Sequence, residues 1–132
     1  MICIQHIDHV VLRTCRLQAM RAFYCDVLGC TVERVLSAEI GLTQLRAGQA
    51  LIDLVDVDSE LGRAGGAAAG ATGRNLEHFC LRIAAIEEPA LKAWLQQHGV
   101  EMGPVATRYG ADGFGPSVYI SDPDGNTIEL RF

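Results

Sequence analysis

Two histidines each follow an acid and each open an apolar, largely β-branched run: Ile7-Asp8-His9-Val10-Val11-Leu12, and Glu77-His78-Phe79-Cys80-Leu81-Arg82-Ile83. Two further acids occupy matching points in another pair of runs. They are Asp53 in Ala50-Leu51-Ile52-Asp53-Leu54 and Glu129 in Asn126-Thr127-Ile128-Glu129-Leu130. In a strand, residues two apart share a face. His9 therefore shares a face with Val11 and Arg13, and His78 with Cys80 and Arg82. Asp53 turns away from Ile52 and Leu54; Glu129 lies with Thr127 and Arg131, away from Ile128 and Leu130. If each half of the chain curls its sheet with the helix outside, two imidazoles and two carboxylates line one inner surface. That donor set suits a divalent metal of mixed N/O coordination. A single strand histidine is more often a hydrogen-bonded structural residue. It is the joint placement in two equivalent runs that favours ligation. His6, His98, Asp8 and Glu77 read as structural, turn or surface residues, and Cys80 as a small packing residue.

The elements that must position these groups repeat. Residues 6–13 predict a strand. Leu17, Met20, Tyr24, Val27 and Leu28 recur at helical spacing, and Gly29 ends that helix. Strands are expected at 31–36, 40–46 and 49–57. Residues 59–74, SELGRAGGAAAGATGR, carry no periodicity and read as a linker or loop. The order then begins again: a strand at 76–84, a helix with Glu87-Glu88-Pro89 in its first turn, Gly99 as its stop, and strands at 101–107, 116–121 and 126–131. Asp122-Pro123-Asp124-Gly125 is a strong turn signal. The chain is thus βαβββ, linker, βαβββ, an α+β protein with an internal duplication. Residues 5–58 and 75–132 are expected to be two modules of a single domain, 1–132.

Composition narrows the function. The chain has 132 residues, 49% of them hydrophobic and 20% charged, enough to bury a core. A net charge of −5 argues against a nucleic-acid partner, which needs a basic face. No run approaches the length of a membrane span. The N-terminal residues lack a basic start and a cleavable apolar segment, so a cytoplasmic location is expected. Five cysteines without a close-set CxxC pair fit free thiols better than a disulfide framework.

The opening IDHVVL, the helix end FYCDVLG, the second NLEHFCLRI and the closing DPDGNTIEL together resemble the vicinal oxygen chelate superfamily. This superfamily includes glyoxalase I, fosfomycin- and bleomycin-resistance proteins and extradiol dioxygenases. The resemblance spans about residues 5–131. It implies paired βαβββ modules curled into a cup around one divalent metal, with Zn, Ni, Co, Mn and Fe(II) not distinguished. His9, His78 and Glu129 map onto the ligand positions. Asp53 maps onto the fourth ligand of glyoxalase I-like members, where it is one methylene shorter than the usual glutamate. Arg13 matches an arginine that such members use for a glutathione carboxylate, whereas Val57 replaces an expected asparagine.

The resemblance implies a small substrate, free or as a thiol adduct, that chelates the metal through two neighbouring oxygens, and a homodimer. Four protein donors leave two of six positions open, as a lyase or isomerase of glyoxalase I-like type requires. Glu129 is the first candidate for its base and Asp53 the second. Three donors leave room for an extradiol ring-cleaving dioxygenase or a thiol transferase of the fosfomycin-resistance type. A non-catalytic small-molecule binding protein is the remaining alternative. Arg82 and Tyr109, the latter in the glycine-rich YGADGFGP, are candidate substrate contacts beside Arg13.

Overall fold

A computed structural model describes residues 1–132, and the chain divides into two compact units, 1–70 and 71–132. The division falls inside the Gly/Ala-rich segment. Each unit carries one open four-stranded mixed sheet, and together they give the α+β, twice-repeated βαβββ order read from the sequence.

In the first unit, β1 (His9–Thr14) is followed by helix α1 (Leu17–Ala22), which widens into a π-helical turn over Phe23–Val27. Met20, Phe23 and Tyr24 are buried there. Gly29, at φ +74°, reverses the chain as expected. Strands β2 (Thr31–Val35), β3 (Leu42–Ala47) and β4 (Ala50–Asp56) complete a sheet of order β1-β4-β3-β2, with β1 parallel to β4. The third strand starts two residues later than expected, because Gly41 takes φ +77° and belongs to the preceding turn.

The Gly/Ala-rich segment is not wholly irregular: it opens with a one-turn helix α2 (Glu60–Arg63), capped by Ser59, whose Oγ accepts from the Gly62 N–H at 3.0 Å. Gly62 is needed at that point, since a Cβ there would collide with the Asp56 carbonyl.

In the second unit β5 (His78–Arg82) precedes α3 (Glu88–Gln97), with Leu91 and Leu95 buried and Gly99 at φ +70° closing the helix. Trp94 is 45% exposed and packs on the His98 ring. Strands β6 (Ala106–Gly110), β7 (Gly113–Ser121) and β8 (Thr127–Arg131) follow, in the order β5-β8-β7-β6. The strand expected at 101–107 begins only at Ala106: Pro104 has no N–H to give a ladder. The YGADGFGP stretch is the hairpin between β6 and β7 itself. The Asp122–Gly125 turn forms as read. Asp122 Oδ1 accepts from the Asp124 and Asn126 N–H groups, and Arg74 donates to Asp124 O and Asn126 Oδ1. No helix is long and apolar enough to cross a membrane.

Candidate functional site

Sheet register brings each strand histidine beside its closing-strand carboxylate. In the second unit His78 pairs with Thr127 and Cys80 with Glu129 across the parallel β5–β8 ladder. On that face His78 Nε2 comes within 3.3 Å of Glu129 Oε2. The opposite face of β8 holds Ile128 and Leu130, which are buried. Glu129 itself is 6% exposed, and its Oε1 has no hydrogen-bond partner.

The other ring nitrogen, Nδ1, is held by the Glu77 carboxylate. A neutral imidazole has one N–H to give. With a carboxylate at each end, a neutral His78 ring can donate to only one of them.

The first unit repeats the backbone arrangement. His9 pairs with Leu51 and Val11 with Asp53 in the β1–β4 ladder, the same offsets as in the second unit. Asp53 is 3% exposed; one oxygen accepts from Gln44 Nε2 at 3.0 Å, and the other, Oδ1, is unpartnered. His9 Nδ1 lies 2.6 Å from Asp8 Oδ1. That hydrogen bond raises the His9 pKa, with the Asp53 charge acting in the same direction, and lowers that of Asp8.

A buried acceptor left without a partner costs about 1–3 kcal/mol, more when charged. One such oxygen at each of two equivalent positions, beside a histidine in each case, is what a ligand site would leave without its ligand. The donor set therefore fits a divalent metal. No group of three or more His, Cys, Asp or Glu side chains stands at metal-holding spacing; His78 and Glu129 form one close pair, while His9 and Asp53 share a sheet face without a bond.

Around these pairs the remaining residues fall as follows. Cys80 is exposed rather than packed, with its pKa raised by local desolvation and then by the Glu129 charge. Arg82 is exposed and pairs in register with Arg131. Tyr109 is exposed, its ring set edge-on to Phe114 at 5.1 Å. The Arg13 guanidinium is held by backbone carbonyls: it donates to Ala67 O at 3.1 Å and Gly62 O at 2.9 Å, and also to Gly66 O. Arg131 does the same in the second unit, donating to Arg108 O at 2.9 Å and to Gly113 O. A Cβ on Gly110 would crowd the Arg131 guanidinium, which accounts for that glycine of the hairpin.

Sequence reasoning missed the part played by five neighbours of these pairs. Gln44 is the partner of Asp53; its signal was its place opposite Asp53 once β3 and β4 pair. Tyr119 pairs in register with Glu129 and sets its ring edge-on to His78, 5.3 Å away. Asp8 and Glu77, taken for turn or surface residues, are the Nδ1 partners. Arg108 is a third arginine of the second sheet, stacked 4.4 Å over the Tyr119 ring and donating to Ser117 O at 2.7 Å.

The model for the Glyoxalase/Bleomycin resistance protein/Dioxygenase superfamily matches residues 6–130. An integron cassette protein from V. cholerae superposes with a TM-score of 0.79 at 26% identity, over 99% of this chain and 97% of its own. A virulence protein from Salmonella typhimurium gives 0.76 at 26% identity, over 98% of both chains. A lactoylglutathione lyase from Agrobacterium tumefaciens gives 0.67 at 28% identity, over 98% of this chain and 94% of its own. No curated protein sequence matches the chain.

Proposed function

Because this chain belongs to the Glyoxalase/Bleomycin resistance protein/Dioxygenase superfamily, we propose that it is a divalent-metal-dependent lyase or isomerase of glyoxalase I-like type. Its substrate is a small molecule presenting two neighbouring oxygens, free or as a thiol adduct. The observation that carries this reading is the pair of buried carboxylates, Asp53 and Glu129, each with one oxygen unpartnered on the face of a strand histidine. His9, Asp53, His78 and Glu129 are the residues that would hold the ion, a histidine and a carboxylate from each unit, from one chain or from the two chains of a homodimer. When bound, a divalent metal polarises a carbonyl and stabilises negative charge developing on its oxygen. The likeness to a lactoylglutathione lyase supports this class of chemistry.

The chain's own residues would do the rest. Glu129, with Oε1 buried and uncommitted, accepts a proton from the carbon beside the substrate carbonyl and returns it to the neighbouring position. Asp53 is the second candidate for that task, restrained by its bond from Gln44. Arg82 and Tyr109, both exposed, contact the substrate beyond its chelating oxygens. Arg13, engaged with three loop carbonyls, shapes the 62–67 loop. The five cysteines are unpaired, which suits a reducing cytoplasm.

The test is elemental analysis of protein purified without chelator, followed by assays of methylglyoxal with several thiols against a panel of catechols. A bound divalent metal with turnover of the aldehyde–thiol adduct is the expected result. Ring cleavage of a catechol, or no metal retained or taken up, would overturn the reading.

A further inference from the structure

The same short contact is made twice, in two units with separate sheets. Asp8 reaches the Nδ1 of His9, and Glu77 reaches the Nδ1 of His78. Each acid immediately precedes its histidine, where strand alternation points consecutive side chains to opposite faces. A contact between them needs the acid to fold back at the strand's first residue, and both β1 and β5 begin at the histidine itself. The acids thus lie just outside the ladder, where the backbone is free to bring the carboxylate round to the ring. Chain and length differ, aspartate in one unit and glutamate in the other, yet the atom reached is the same.

We propose that Asp8 and Glu77 are positioning residues. Each accepts the Nδ1–H of the histidine that follows it, fixing the ring's tautomer and rotation so that the Nε2 lone pair is presented to the inner face. The consequence for His78 is direct, since its Nε2 is then the atom that faces Glu129 Oε2 at 3.3 Å. Two lone-pair atoms at that distance repel unless a cation joins them, so holding Nδ1–H primes this pair for one. Ring nitrogens that ligate metals commonly have their partner nitrogen held by a carboxylate, and losing that partner costs about 10–100-fold in metal affinity. This assignment rests on the metal reading given above for its purpose, but the tautomer it predicts exists in the metal-free protein.

The experiment separates the two. Ring-nitrogen NMR of the metal-free protein, at a pH where His9 is neutral, should show His9 as the Nδ1–H tautomer. Asp8→Ala should move it to Nε2–H, and Asp8→Glu should restore Nδ1–H, as the glutamate at the second position implies. His9 found as Nε2–H in the wild type, or a tautomer unmoved by Asp8→Ala, would overturn the proposal. For the second pair the reading is divalent-metal affinity measured by chelator competition. Glu77→Ala should weaken it about 10–100-fold and Glu77→Asp should recover most of the loss; an unchanged affinity in Glu77→Ala would overturn the role at His78. Should the tautomer respond as stated while the wild type binds no metal, the positioning stands and the proposed function falls.

Discussion

The two histidine–carboxylate pairs have the same backbone and different side-chain contacts. In each, the histidine begins the first strand and the carboxylate lies two rungs along the parallel ladder, opposite the residue two beyond the histidine. Only side chains differ. Glu129 reaches the ring of His78, while Asp53 is tied to Gln44 by a hydrogen bond and has no bond to His9. His9 is correspondingly the more open ring, with 47% of its side chain exposed against 30% for His78. Where the first sheet has Val11 and Gln44 flanking its carboxylate, the second has Cys80 and Tyr119. A duplicated backbone therefore carries a histidine and a carboxylate at the same two positions in each unit, and the side chains differ in whether the two meet. In the second unit the two side chains already meet.

The largest effect should come from the pair in contact. His78→Ala removes the ring that meets Glu129, so divalent-metal affinity is expected to fall by more than the 10–100-fold that loss of an outer partner costs. Its melting temperature should change little, because His78 is only half-buried. His9→Ala should weaken binding by less. Chelator competition on both variants checks the ranking, and equal losses would break the distinction between the two halves.

Next in size is the clamp that each unit builds from an arginine and a glycine-bearing loop. Arg131 is 4% exposed and donates to two carbonyls; Arg13 is only half-buried. Arg131→Ala should destabilise the protein by about 2–4 kcal/mol through stranded buried carbonyls and lost packing, and Arg13→Ala by about half as much. Denaturant unfolding measures both. A larger loss for Arg13→Ala would show that the 62–67 loop, not the β6–β7 hairpin, is the more tightly held.

Asp53→Glu should make the first half resemble the second. The longer side chain gives up the Gln44 bond and reaches toward His9, and an increase in metal affinity of about tenfold is expected, worth ~1.4 kcal/mol. Glu129→Asp should do the reverse. If Asp53→Glu weakens binding instead, the Gln44 contact is itself part of the working site rather than a restraint on it.

What could be read from the chain follows from which constraints are local. The alternation of His9 with Val10, and of Glu129 with Ile128 and Leu130, is written in consecutive residues, so the facing of His9 and Glu129 was legible before any fold was known. So was the repeat, since the runs that open at His9 and His78 and those that carry Asp53 and Glu129 match in order and position. The clamps were not legible. Arg13 meets Gly62 and Ala67, and Arg131 meets Arg108 and Gly113, through main-chain carbonyls that no side-chain pattern announces. Nor was the partnership of Gln44 with Asp53, which depends on pairing register. The late start of β6 was readable in principle from Pro104, whose missing N–H outweighs the strand-like residues around it.

The smallest effect sharpens the comparison through two thiols that sit differently. Cys30, in the first unit, is buried at 8% exposure, and burial pushes its thiol up to about 11. Cys80, on the open face of the second, is exposed. At pH 8 an alkylating reagent should modify Cys80 well before Cys30 in the folded protein, because access separates two thiols whose pKa values are both raised, as peptide mass mapping would show. Because the Cys30 thiol holds its proton more tightly folded than unfolded, its contribution to stability is complete below about pH 9 and is lost as pH rises toward 11. Cys30→Ala should therefore leave the pH profile unchanged near neutrality and flatten its decline above pH 9. A decline equally steep in Cys30→Ala would place the alkaline loss elsewhere, with the Cys25 and Cys80 thiols, both raised first by desolvation, as the remaining candidates.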